Sequence, residues 1–178
     1  AVLAAVMGVV CILWNIEAPT RIGIAILTEQ YLALQLGLAL TIAFLRFGPS
    51  GDRKARVGLV DGAVAVVCFL VLMYAAWDFS YLLREQAYRP PEITVIGLVV
   101  TLAVMEGIRR RAGWTLFLIV AAFLVYALFA DKVPGQLIGK ALSPVRLVQY
   151  VGFDPSAVFS TPLAVGTIIV LLFVFFRQ

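Results

Sequence analysis

Apolar residues along this chain gather into six long runs separated by shorter polar links. The runs are Ala1–Trp14, Tyr31–Phe47, Val57–Trp77, Ile93–Ile108, Trp114–Ala130 and Phe159–Phe176. Each approaches the roughly 17–25 residues with which a helix crosses about 30 Å of hydrocarbon. The fourth is the shortest for a span and invites extension by its flanking residues. Strands are a poor alternative, because an open sheet in lipid leaves backbone groups unpaired. The pattern therefore predicts an all-α integral membrane protein with six transmembrane helices.

The stretch "DKVPGQLIGKALSPVRLVQYVGFDPSAV", residues 131–158, breaks the pattern. Pro134, Gly135 and Pro144 interrupt it too often for a span. Leu137, Ile138, Ala141, Leu142, Val145 and Val148 nevertheless recur at helical spacing. The expectation is one or two short amphipathic helices on the extracytoplasmic surface, with Lys140 and Arg146 toward headgroups. Pro91, in "RPPE", suits the first turn of span four.

Composition strengthens the membrane reading. Of 178 residues, 63% are hydrophobic and 13% charged, and the mean hydropathy is +1.04. A soluble domain is nearer 45–50% apolar and about 25% charged. The net charge of +4 does not call for nucleic acid, because the basic residues sit in short links between apolar runs. Arg46, Arg53, Lys54 and Arg56 join runs two and three, and Arg109, Arg110 and Arg111 join runs four and five. Residues 15–30 hold only Arg21, and residues 78–92 set Arg84 and Arg89 against Asp78, Glu85 and Glu92. Basic links belong on the cytoplasmic side. Six spans then place both ends there, and Arg177 agrees. Trp14, Trp77 and Trp114 stand at span ends, where an aromatic belt places them at the membrane interface.

The chemistry is sparse. There is no histidine, which removes the commonest metal ligand, general base and haem ligand. Cys11 and Cys68 lie inside apolar runs without a CxxC partner and read as small packing residues. No phosphate-binding loop, dinucleotide fingerprint, HExxH or nucleophile elbow is present. No catalytic, cofactor-binding or metal-binding residue is expected, nor any cofactor or enzymatic activity. Gly37, Gly62, Gly97 and Gly166 permit close helix contact without forming GxxxG. Thr41, Thr101 and Thr167 are expected to hydrogen-bond carbonyls of their own helices.

One charged cluster stands out, in "VMEGIRRRAG" at 104–113. Glu106, Arg109 and Arg110 share a helical face at i, i+3 and i+4, the acid first, which is the favourable order. With Arg111 they read as an interfacial anchor with a local ion pair, the guanidinium stems snorkelling to headgroups. A functional pair buried against a partner helix is the competing reading. Asp61 stands one turn into span three. An intramembrane acid is a functional suspect, but this one is close enough to the cytoplasmic edge to sit at the interface or to pair with the 109–111 cluster.

From Val57 to Phe176 the chain resembles the fused permease of tripartite ATP-independent periplasmic (TRAP) transporters, in particular the TAXI type. The segment "VMEGIRRRAGWTLFLIVAAFLVYALFADKVPG" at 104–135 carries most of the likeness, with its Glu, Arg pair, Gly, Tyr-bearing apolar span and Pro-Gly. "GLVDGAVAVVCFLVLMYAAW" and "VFSTPLAVGTIIVLLFVFF" are similar to the preceding span and to the helix that opens the family's large module.

The resemblance implies a small scaffold module at residues 1–130, with five spans, followed by the amphipathic segment 131–158. The sixth span, 159–178, opens the large transport module. In that family the large module carries the ion and substrate sites, and a periplasmic binding protein delivers the solute. The expected function is thus a membrane scaffold of an ion-coupled secondary transporter, without a substrate site of its own, in the bacterial cytoplasmic (inner) membrane. Its expected partners are the lipid bilayer, the rest of the permease and the binding protein, with no nucleic acid. Ala1 already lies in an apolar run and the chain stops at "FVFFRQ", so it reads as a piece of a longer protein. The alternative is a truncated relative serving as an accessory subunit of a photosynthetic or respiratory complex.

Overall fold

The computed structural model describes residues 2–21, 23, 25–48, 52, 58–88, 90–132 and 139–170. Arg53, Lys54, Arg56, Arg89, Pro134, Gly135, Leu137, Ile138 and Arg177 lie outside the described residues. Among the described residues the elements are helical. They are α1 (Val2–Asn15), α2 (Ala18–Arg21), α3 (Thr28–Arg46), α4 (Leu59–Trp77), α5 (Phe79–Glu85), α6 (Pro91–Ala112), α7 (Trp114–Phe129), α8 (Pro144–Phe153) and α9 (Thr161–Val165). A 3-10 turn (Gln86–Tyr88) precedes α6, and a π-helical turn (Gly166–Val170) follows α9.

Three helices, α3, α4 and α6, are long and apolar enough to cross a membrane. At 1.5 Å per residue, α3 and α4 are each about 28 Å long and α6 about 33 Å. The described part of the chain thus supplies three span-length helices against six apolar runs. α1 and α7 are apolar but shorter, at 14 and 16 residues. The sixth run is described only as far as Val170. The fourth run gains its length at both ends: Pro91 starts α6 at a position where its missing N–H costs nothing, and the helix runs on through the arginines.

α3 and α4 pack antiparallel with their backbones close at the centre, where a Cβ on Gly37 would stand 3.2 Å from that of Leu72. Asp61, Ala65, Cys68, Leu72, Ala75 and Ala76 form the buried stripe of α4, at the three- and four-residue steps of one helix face. Ile93, Ile96, Gly97, Val100, Ala103, Gly107 and Arg110 do the same on α6. The opposite faces are apolar and exposed: Leu59 on α4 is 95% and Leu102 on α6 60% accessible. Such a surface suits lipid or protein neighbours rather than water.

A single glycine, Gly113, separates α6 from α7. Its φ of 87° lies in the left-handed region, which favours a residue without a Cβ.

The 131–158 segment holds one short amphipathic helix, within the one or two expected. Among its described residues Lys140, Ala141 and Leu142 are not helical, and Pro144–Phe153 forms the helix. Pro144 ends any helix reaching it from the N-terminal side and begins a new one, whose first turn is capped by Ser143 Oγ accepting from the Arg146 N–H at 3.4 Å. Lys140 and Arg146 are exposed. α8 does not simply rest on a surface. It crosses α6 backbone to backbone: a Cβ on Gly152 would lie 2.1 Å from the Gly97 carbonyl oxygen, and one on Gly97 would lie 2.6 Å from that of Val148. Gln149 Nε2 donates to Thr94 Oγ1 at 2.7 Å beside the crossing. Phe153 stacks on Phe79 at 5.0 Å, and Phe159 meets Phe79 edge-on at 5.7 Å. Gln86 Nε2 donates to Asp154 Oδ2 at 3.1 Å.

Candidate functional site: the Arg110 ion cluster

The ends of three helices converge on Arg110. Phe47 closes α3, Asp61 lies in the first turn of α4, and Arg110 lies in the last turn of α6. α3 and α6 are therefore parallel, with α4 running against both. Arg110 Nη1 stands 2.9 Å from Asp61 Oδ1 and donates to the Phe47 carbonyl at 3.1 Å. Arg110 Nε donates to Glu106 Oε1 at 2.6 Å. The guanidinium carbon lies 5.0 Å from the centroid of the Phe44 ring, within the range of a cation–π contact.

Burial separates this guanidinium from its neighbours. The side chains of Arg110 and Asp61 are 6% and 10% exposed, so the pair is largely removed from water. Its electrostatic strength there rests on several simultaneous contacts, because a buried ion pair offsets its desolvation only when its remaining hydrogen-bonding groups are also met. Arg110 meets that condition with two carboxylates, a carbonyl and an aromatic face. A Cβ on Gly107 would come within 3.0 Å of Leu40 Cδ2, so α3 and α6 are also close beside the cluster.

Arg109 and Arg111 flank the buried position. Arg109 Nε and Nη2 grip the two oxygens of Glu106 at 2.7 and 2.6 Å, and its guanidinium lies 5.3 Å from the Trp114 ring centroid. The turn at Gly113 places that indole back over the end of α6. Arg111 is exposed, its guanidinium 4.2 Å from the Phe47 ring. Arg46 is exposed at the same end. Three arginines against Asp61 and Glu106 leave this cluster with one net positive charge.

The Arg109–Glu106 pair is the weaker one. Its side chains are 19% and 29% exposed, and pairs open to solvent contribute about 0–1 kcal/mol. Arg109→Gln is accordingly expected to change stability by less than about 1 kcal/mol, measured by unfolding in mixed micelles. A larger loss would mean that Arg109 also positions Arg110 through Glu106.

The sequence-expected residues thus fall into two sets. Asp61, Glu106, Arg109, Arg110 and Arg111 come together at one end of the bundle. Trp14 and Trp77 stand at the other end. Trp14 stacks on Tyr31 at 4.5 Å, whereas Trp77 is 81% exposed. Phe44, Phe47 and Gly107 carry no expectation from the sequence. A backbone carbonyl and a tolerated absence of side chain leave no chemical mark in a sequence.

A second polar cluster lies inside the helices. Gln35, fully buried, donates from Nε2 to the Met7 carbonyl at 3.2 Å and to Tyr31 Oη at 3.3 Å. Tyr31 Oη and Cys11 Sγ both reach the Thr167 carbonyl, at 3.5 and 3.0 Å. These contacts tie α1, α3 and the π-helical turn together. Cys11 is therefore a weak donor to a carbonyl as well as a packing residue. Thr41 and Thr167 donate to the Gly37 and Leu163 carbonyls at 2.7 and 2.9 Å, following the expectation for helix threonines. Thr101 does not: its Oγ1 is buried without a hydrogen-bond partner.

Among the described residues no group of three or more His, Cys, Asp or Glu side chains is placed to hold a metal ion. What the Arg110 cluster can do is electrostatic and mechanical: it fixes the relative position of three helix ends. Compared with protein-family models, with curated proteins and with solved structures, the chain matches none.

Proposed function

We propose that this chain is a membrane scaffold, locked at its basic end by Arg110, and that it belongs to the permease of a TRAP-type secondary transporter. The observation that supports the scaffold reading is the saturation of Arg110 by structural partners from three helices. A transport or catalytic group needs a state in which it is available to a ligand, whereas Arg110 is held by Asp61, Glu106 and the Phe47 carbonyl and covered by Phe44. The transporter assignment rests on the 104–135 likeness alone. On this reading the six apolar runs are six spans, the basic end faces the cytoplasm of a bacterial inner membrane, and the solute and coupling ion are handled by other parts of the permease.

Orientation is tested with cysteine reporters, the native Cys11 and Cys68 both being buried. Arg111→Cys is expected to resist a membrane-impermeant thiol reagent in intact cells and to react after lysis. Glu85→Cys, at the opposite end of the bundle, is expected to react in intact cells. The reverse pattern overturns the orientation. Purification from native membranes tests the partner: a permease transport module should accompany the chain. Co-purification with a photosynthetic or respiratory complex instead would assign it to that assembly as an accessory subunit.

A further inference from the structure

Two cavities adjoin at the end of the bundle opposite Arg110. Both are bordered by Trp14, Pro19 and Ile26. The first, of about 470 Å³, is lined on its far side by Asn15, Glu17, Thr20 and Thr28. The second, of about 480 Å³, is lined by Leu13, Leu34, Met73, Ala76 and Trp77. Each lies within the roughly 300–1,000 Å³ of small-molecule sites. The first mixes polar with apolar groups and carries a carboxylate; the second is mostly apolar.

The second cavity reaches further along the helix axes than the first. Asn15 ends α1, Thr28 begins α3 and Trp77 ends α4, so both cavities open at the mouth of the bundle. The apolar one also extends inward to Leu34, six residues beyond Thr28 on α3 and about 9 Å deeper. Polar groups at the mouth beside an apolar groove that runs inward suit a phospholipid lying along the bilayer normal, its head at the interface and a chain in the hydrocarbon. Trp14 and Trp77 stand where aromatic rings mark that interface.

Glu17 supplies the charge. It is the only non-glycine among the described residues with a positive φ, 55°, a left-handed conformation that costs a side-chain-bearing residue energy. Among the described residues no side chain pairs with its carboxylate. The C-terminal end of α1 precedes it, and the partial negative charge there adds to its attraction for a cation. Thr20 Oγ1 donates to the Glu17 carbonyl at 2.8 Å, which holds this turn closed.

We propose that the paired cavities between α1, α3 and α4 form a binding site for one phospholipid with a primary-ammonium headgroup. The ammonium pairs with Glu17 and hydrogen-bonds toward Asn15, Thr20 and Thr28. An acyl chain fills the groove beside Leu34 and Met73. The site rests on the bilayer placement of α3 and α4 and is independent of the transporter assignment. An anionic head without an amine would meet the Glu17 carboxylate with like charge.

The test uses the full native protein, released from nanodiscs of equal phosphatidylethanolamine and phosphatidylglycerol and examined by native mass spectrometry. The wild type is expected to retain one phosphatidylethanolamine per chain in preference to phosphatidylglycerol. Glu17→Gln, an exposed position that leaves the fold intact by thermal melting, should reduce that preference about fivefold, the effect of one exposed ion pair. Leu34→Trp fills the groove and should abolish retention of either lipid. Equal retention of both lipids by the wild type overturns the proposal, as does a preference unchanged in Glu17→Gln. Retention of no lipid by the wild type, as when another part of the protein covers the groove, overturns it too.

Discussion

Arg110→Ala is expected to destabilise the bundle by about 3–5 kcal/mol, the cost of removing one partner from a buried ion pair. The substitution takes the guanidinium away from Asp61, Glu106 and the Phe47 carbonyl at once. The carboxylate of Asp61 is 10% exposed, and water reaches it poorly. Reversible unfolding in mixed micelles measures the loss. The double variant Asp61→Leu with Arg110→Met is expected to recover most of it, because it removes both charges and keeps the volume apolar, while Glu106 keeps Arg109. A loss below about 1 kcal/mol for Arg110→Ala would place this arginine with ordinary surface pairs and remove the brace from the proposed function.

The second large effect is steric. Gly152→Leu is expected to cost about 3 kcal/mol or more, at or beyond the usual range for overpacking, or else to undock α8. The atom in the way is the Gly97 carbonyl oxygen, 2.1 Å from where the new Cβ would stand, with Gly97 Cα at 2.6 Å. Backbone cannot rotate aside as a side chain can. Hydrogen exchange across Pro144–Phe153 is expected to accelerate, and a Phe153→Cys reporter, at a position fully buried in the docked helix, should become reactive. Gly166→Ala is the control. A Cβ there meets nothing within 4 Å, and alanine in a helix is neutral to favourable by about 0.5–1 kcal/mol. Unchanged exchange in Gly152→Leu would mean that α8 is not docked on α6 as described.

The helices are legible in the sequence because lipid-facing and core-facing positions are both apolar, which makes long runs conspicuous. The same uniformity hides which face is inward. Charge resolves it in two places. Asp61 stands in step with Ala65, Cys68 and Leu72, and Arg110 with Gly107, Ala103 and Val100. Taking small residues as the buried face selects Arg110 from its two neighbours. The α6–α8 crossing is less accessible. Gly97 marks a place for close approach, but Gly152 lies in a segment whose pattern suggests an interfacial helix, and no spacing rule connects residues so far apart. The helical periodicity from Leu137 onward competes with Pro144, and proline's disfavour for a helix in the preceding residue is the stronger local signal.

Three consecutive arginines sweep about 200° of the circumference of α6, at about 100° per residue. Charge alone would therefore accept several rotations of this helix, each offering some guanidinium to Asp61. What removes the ambiguity is missing bulk: Gly107 lies against Leu40, and Gly97 against α8. The rotational phase of α6 is set by two absent side chains, and the ion pair reports that choice rather than making it.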